Sequence, residues 1–259
     1  MALPRRLWWT ALAVAGGCVT AEEAPRVDLP VVVDTSGVTP ATTDLGYLVT
    51  LTEARLALRD LRFTTAGEVH TASWSVPWLG SVAYAHPGHD QAGETLGELP
   101  GTYVVDWVHG EGQALGTATL VAGDYTAVDF GFDLVDASAG TAATELAGHT
   151  VWLEGTAERS GQAIRFTAAV DAPADRELVG APFVATVTGD TVGRIALRLH
   201  TVDPIEGDTL FDGVDFAAVD TDADGMVALA ADVPASDDAV NLLRRALLSH
   251  DHYDAELQE

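Results

Sequence analysis

The chain has 259 residues, with 39 acidic against 13 basic side chains and a formal net charge of −26. Such a surface repels phosphate backbones, which excludes nucleic acid as a partner. Every basic residue is arginine, and the single cysteine, Cys18, excludes disulfides and cysteine-ligated zinc or iron–sulfur sites.

Residues 1–17 have the layout of an export signal. Arg5 and Arg6 give the positive start, Leu7 to Val14 a short apolar run, and Ala15, Gly16 and Gly17 the small residues before a cleavage point. The run is about half the apolar length of a membrane-spanning helix, so it directs export without anchoring the product. Cys18 follows directly, as in a bacterial lipobox whose cysteine becomes the lipidated first residue, although Ala15 stands where leucine is more usual. The expectation is a cell-envelope protein held by lipid in the outer membrane, facing the periplasm or the surface. A plain signal peptide that contains a cysteine is the alternative. Cleavage would leave 39 acids and 11 arginines, a net charge of −28.

Residues 18–44 are acidic and Thr-rich and carry Pro25, Pro30 and Pro40. They read as a lipidated tether, with Leu29 to Val33 as a candidate first edge strand. Residues 45–259 contain no linker and read as a single domain. Leu48 to Phe63 alternates as a strand does, although the spacing of Arg55, Arg59 and Arg62 also suits a helix. Tyr103 to His109 and Ala114 to Val121 follow as strands. Val128, Phe130, Phe132 and Leu134 then alternate with Asp129, Gly131 and Asp133, the two-residue period of a strand with one wet face. Thr150 to Ala157, Gln162 to Val170, Phe183 to Thr188 and Arg194 to Val202 repeat the theme between Gly, Pro and Asp clusters. The expected fold is mainly β, an antiparallel β-sandwich or open barrel with one C-terminal α-helix. Ser236 would cap that helix. Asp237 and Asp238 occupy its first turn, and Val240, Leu243 and Leu247 form its apolar stripe, to about Ser249.

Four of the eight histidines, His70, His86, His89 and His109, fall within 40 residues of one another, near Trp74, Trp78 and Trp107. In Ala85-His86-Pro87-Gly88-His89-Asp90 the Pro-Gly pair favours a type II turn, which brings its outer Cα atoms within about 7 Å. His86 and His89 hold those outer places and can converge on one ion, with Asp90 as a partner for a ring N–H. An ordinary surface turn with two histidines is the alternative. In a continuous strand Trp107 and His109 would share a face. A half-buried strand with an aromatic anchor explains the same pattern. His70 with Trp74 is a rival pair. With no thiolate left, imidazole is the softest strong donor, and it suits copper, zinc or nickel. Asp220-Thr221-Asp222-Ala223-Asp224-Gly225 matches the start of a calcium loop, although place twelve is Ala231 and the nearby Asp232 comes one residue late. Asp220, Asp222 and Asp224 are its candidate ligands for a structural calcium ion. His250-Asp251-His252-Tyr253 offers two imidazoles to a metal, but after a helix end it reads first as a solvated tail.

The His86-Pro87-Gly88-His89 turn, Gly93-Glu94, Gly97-Glu98-Leu99, the Tyr103 to His109 stretch and the Gly123-Asp124-Tyr125 to Phe132 hairpin resemble the surface copper-binding proteins of methanotrophs (the CorA/MopE type). They also resemble the related copper proteins of methanobactin operons. The resemblance covers residues 45–259 through short motifs. It implies copper held by two histidines and assisted by a tryptophan oxidised to kynurenine, with a di-haem cytochrome c peroxidase-like partner that performs the oxidation. Trp107-Val108-His109 has the Trp-x-His spacing of one family member. This makes Trp107 the candidate for oxidation and His109 a candidate ligand, beside His86, His89 and His70.

No Gly-x-Ser-x-Gly elbow, His-Glu-x-x-His pair, phosphate loop or dinucleotide fingerprint occurs. The sequence therefore reads as a non-enzymatic, lipid-anchored copper-binding protein acting in copper acquisition, storage or sensing. An envelope lipoprotein that binds a protein or glycan is the first alternative, and a secreted metal-dependent hydrolase the second.

Overall fold

The structure is a computed structural model that describes residues 24–65, 94–135, 146–173, 175–231, 233 and 236–259. Cys18, His70, Trp74, Trp78, His86 and His89 lie outside them.

The described chain is largely β, as the alternating segments predict. In chain order the strands are β1 (Arg26–Asp34), β2 (Ala41–Thr42), β3 (Leu48–Thr64), β4 (Thr95–Asp106), β5 (Ala114–Val121) and β6 (Gly123–Phe132). They continue with β7 (Val151–Arg159), β8 (Gln162–Val170), β9 (Glu177–Val187), β10 (Arg194–Leu199), β11 (Met226–Leu229) and β12 (Tyr253–Gln258). Among the described residues there are two α-helices, α1 (Phe216–Val219) and α2 (Asp237–Leu247), and short 3₁₀ turns at Thr35–Gly37 and His250–His252. The strands form one sheet in the order β11-β8-β7-β3-β4-β5-β1-β10-β12, with β2 and β6 added on β3 and β9 on β6. The sheet curls until β12 lies against β9. It is mixed and not purely antiparallel, because β1 runs parallel to β10 and β11 parallel to β8.

The long strand β3 organises this curl. Its first half pairs with β7 and its second half with β6, while β4 runs along the other edge. Leu56 and Leu58 face the core. Against β6 a register shift at Asp60, whose φ is +52°, gives β3 one extra residue, and Leu61 and Phe63 face the core beyond it. The change of parity explains why Arg55, Arg59 and Arg62 are spaced like a helix face. A bulge in a strand adds one residue to the two-residue period and mimics the helical interval.

Two segments differ from the sequence-based expectation. Residues 26–34, assigned to the tether with Leu29 to Val33 as a candidate edge strand, do form a strand, β1, but in the interior of the sheet between β5 and β10, with Val27, Leu29, Val31 and Val33 buried. The apolar alternation of Val27 to Val33 outweighs the prolines, since the pairing with β10 begins only at Val31, past Pro30. Asp129, expected on a wet face, is fully buried on β6. There its Oδ1 accepts the Gly180 N–H at 2.8 Å. Burial pushes its carboxyl above the ordinary range, against the opposing pull of that hydrogen bond and of Arg62.

The helix α2 occupies the expected place. Ala239, Val240, Leu243 and Leu247 are buried, and the helix packs on β8 and β11. Ser236 precedes it without capping it, since its hydroxyl donates to the carbonyls of Ala230 and Val233 and closes the preceding turn instead.

On the β1–β10–β12 surface the Arg198 guanidinium bonds Asp34 at 2.9 Å, approaches Asp254 at 3.6 Å and meets Glu256. Burial pushes the Asp34 carboxyl upward, but the Ser36 hydrogen bonds and Arg198 outweigh it and hold the group below its ordinary 3.8. The stability this gives is present above the unfolded value and is lost as pH falls through the folded one. Arg198→Ala leaves three carboxylates facing one another and is expected to cost about 1–3 kcal/mol at neutral pH, read by urea unfolding. The deficit should shrink as acid protonates Asp34.

Candidate metal centre

β4 ends at Asp106, and the chain turns there. Asp106 Oδ1 accepts the N–H groups of Val108 (3.0 Å) and His109 (2.8 Å), and its carbonyl accepts the Gly110 N–H at 3.0 Å. Trp107 and His109 therefore do not share a strand face. Trp107 is fully buried against Tyr253, with its indole N–H unpartnered, whereas the His109 side chain is 59% exposed. The expected Trp–His neighbours are separated because the strand stops one residue before them.

The turn brings His109 to two carboxylates. Its Nδ1 is 3.6 Å from Glu53 Oε2 and 3.6 Å from Asp106 Oδ2. Glu53 comes from β3, at a register shift beside Leu51. Donor atoms of the three side chains lie within 4.8 Å of one another. Arg55 neutralises the pair, 2.6 Å from Glu53 Oε2 and 3.5 Å from Asp106 Oδ2. Glu53 and Asp106 were not singled out in the sequence because acids are so numerous. The usable signal is the Asp106-x-x-His109 spacing, which an Asx turn closes.

One imidazole and two carboxylates make a borderline donor set. It suits Cu(II), Ni(II) or Zn(II), and it does not suit Cu(I), which prefers softer ligands. The two-histidine arrangement implied by the resemblance is not formed by the described residues. Residues 66–93, which carry His70, His86 and His89, leave and re-enter the sheet at Thr65 and Glu94, joined by a 3.2 Å hydrogen bond. That junction lies beyond the Thr64–Thr95 pair, nine residues along β3 from the Arg55–Asp106 pair. At strand rise this is about 30 Å from His109. His109 therefore stands at the far end of the β3–β4 pair from that junction, and His70, His86 and His89 lie outside the described residues.

The calcium-like loop follows α1 and precedes β11, so strand and not helix comes after it. Asp220 is buried, and its two carboxylate oxygens accept the N–H groups of Asp224 and Gly225, each at 3.1 Å. Ala223 (φ +56°) and Gly225 (φ +76°) give the left-handed bends that close the loop. Carboxylate oxygens of Asp220, Asp222 and Asp224 lie within 4.8 Å of one another.

A third group joins Asp203, Glu206 and Asp208 before α1. Burial, with Asp203 beside it, pushes the Asp208 carboxyl up, while the His252 imidazole pulls it back. His252 is itself buried, with Nδ1 3.0 Å from the His200 carbonyl oxygen, and β12 follows it. Residues 250–252 form a short 3₁₀ turn that leads into β12 at Tyr253 and are not a solvated tail, because His252, Tyr253 and Ala255 are buried.

A final polar group surrounds Trp152 on β7. Its indole N–H donates to Glu154 at 2.9 Å, and His149, 3.1 Å from Asp171, stacks beside it. Trp152 pairs laterally with Arg55, which pairs with Asp106. No helix among the described residues is long and apolar enough to cross a membrane. No family model matches the chain, and neither a curated protein nor a solved structure matches it.

Proposed function

We propose that the chain is a lipid-anchored, non-enzymatic envelope protein that binds copper, with His109, Asp106 and Glu53 as a Cu(II) site. The observation that carries this reading is the convergence of His109 Nδ1 on both carboxylates at 3.6 Å. Cu(II) heads the divalent affinity order for nitrogen and oxygen donors. The acidic surface raises the local concentration of cations. The resemblance of residues 45–259 to methanotroph copper proteins supports the metal, and the lipobox at Cys18 supports the location. His86, His89 and His70 remain candidate copper ligands of the same proposal, on residues outside the described ones. A structural calcium ion in the Asp220 loop completes the reading. Arg55 shares both carboxylates and tempers the affinity of the His109 site.

The test is Cu(II) titration followed by tryptophan fluorescence. Trp152 lies two strand spacings from Asp106, about 10 Å, within range for quenching by the ion. His109→Ala should abolish this quenching and weaken the site by more than the roughly 10–100-fold cost of losing an outer-sphere partner. Replacing His86 and His89 should leave the quenching intact while lowering total copper bound. Unchanged quenching in His109→Ala would end the assignment of this site.

A further inference from the structure

The outer face of β7, β8 and β11 holds a groove of about 470 Å³. Its walls follow from register. Glu154 pairs with Thr167 and Thr167 with Ala228, while Thr156 pairs with Arg165 and Arg165 with Met226. These side chains form a grid pointing outward, whereas Phe166 and Val227 between them point into the core. Gly155 keeps the sheet closed beneath the groove, since a Cβ there would lie 2.4 Å from the Thr50 carbonyl oxygen and 2.8 Å from the Phe166 ring. Thr52, left unpaired at the β3 register shift, adds the fourth wall.

The chemistry of the grid is specific. The Arg165 guanidinium has no carboxylate partner among the described residues, in a chain with three acids for every arginine. The hydroxyls of Thr52, Thr156 and Thr167 make no hydrogen bond there either. Glu154 spends one oxygen on Trp152 and keeps the other. Met226, half exposed, and Ala228 supply an apolar strip beside these donors. A guanidinium fork recognises a carboxylate through two parallel bonds. Free hydroxyls and one carboxylate recognise hydroxyl groups, and the apolar strip accepts a C–H face. The surrounding negative field excludes polyanions of high charge density.

We propose that this groove binds a sugar acid, a short glycan carrying a carboxylate on its ring, with Arg165 on the carboxylate and the three threonines on its hydroxyls. The grid is about 10 Å across the strands and about 7 Å along them, the footprint of one or two sugar rings. Glu53 of the metal centre pairs with Glu154 at the groove edge, yet the groove uses no residue of that centre, so the proposal stands apart from the copper reading.

The test is titration of the ¹⁵N-labelled chain with trigalacturonate in the presence of EDTA, with neutral maltotriose and trialanine as the other arms. Trigalacturonate should shift amide signals on β7, β8 and β11, and Arg165→Gln should weaken it about tenfold or more. Arg165 is exposed, so the variant keeps its fold, and unchanged spectra elsewhere verify that. Thr167→Ala should weaken binding by a smaller factor. The proposal fails if trigalacturonate shifts none of these signals or binds Arg165→Gln as tightly. It also fails if maltotriose binds as tightly as the acid, or if trialanine binds in its place.

Discussion

Trp107→Ala is expected to lower stability by about 3–5 kcal/mol, the cost of emptying a large aromatic site in a packed core. Trp107 is fully buried, its ring 6.4 Å from that of Tyr253, which in turn meets Phe130 at 5.2 Å. Its backbone N–H donates to the Ala54 carbonyl at 2.8 Å, so the residue ties the end of β4 to β3 and, through its ring, to the C-terminal strand. Tyr253 depends on the same contact and donates its own hydroxyl to Leu247 at the end of α2. The indole N–H has no partner, so Trp107→Phe should cost much less than Ala and recover part of the penalty of a buried, unsatisfied donor. Urea unfolding reads both values. Copper affinity at the His109 site, measured on the folded fraction, should not change with Phe, because the indole faces the core and His109 faces solvent. A Phe variant that loses Cu(II) binding while keeping its fold would return Trp107 to the metal site. An indole in this place is reached by an oxidant only through opening of the core, so its modification would depend on stability as well as on a partner.

The same residue shows how much of the molecule its sequence makes legible. The β class and the position of α2 follow from periodicity, which depends on burial and survives without knowledge of the partner strand. Where periodicity fails, a local hydrogen bond has overridden it. Asp106 ends β4 by accepting two N–H groups, and this separates Trp107 from His109 although the pattern Trp-x-His reads as one face. The bulge at Asp60 adds a residue to β3 relative to β6 and gives its arginines a helical interval. Asp129 looks wet in sequence and is buried, because β6 is covered on both faces and Gly180 supplies the donor that makes burial tolerable. The same holds for the candidate metal centre. His109 was visible as a member of the histidine pool and as the partner of Trp107, whereas Glu53 reaches it from β3 across 56 residues of chain, a pairing that only the register reveals. The calcium loop was more legible, since all its donors lie within six consecutive residues.

For that loop, calcium should raise the stability of the wild type by about 2.7 kcal/mol when the free ion is at 100 times its dissociation constant, because the folded state alone holds the converged carboxylates. Two substitutions separate the ion from the loop itself. Asp222 makes no hydrogen bond within the loop among the described residues, so Asp222→Ala should remove the calcium increment and leave stability in EDTA nearly unchanged. Asp220 does two jobs. Its oxygens accept the Asp224 and Gly225 N–H groups, which fix the left-handed bends at Ala223 and Gly225 before β11 begins. Asp220→Ala should therefore lose the calcium increment and a further ~1–3 kcal/mol in EDTA, the cost of leaving those donors without partners. The loss should spread to β11, whose pairing with β8 starts at Met226 and whose Val227 and Leu229 are buried beneath α2. Thermal unfolding of the three proteins with calcium and with EDTA reads all six values. Equal melting of the wild type in the two conditions would leave Asp220 as a purely structural clasp, and in that case Asp222→Ala would change nothing in either.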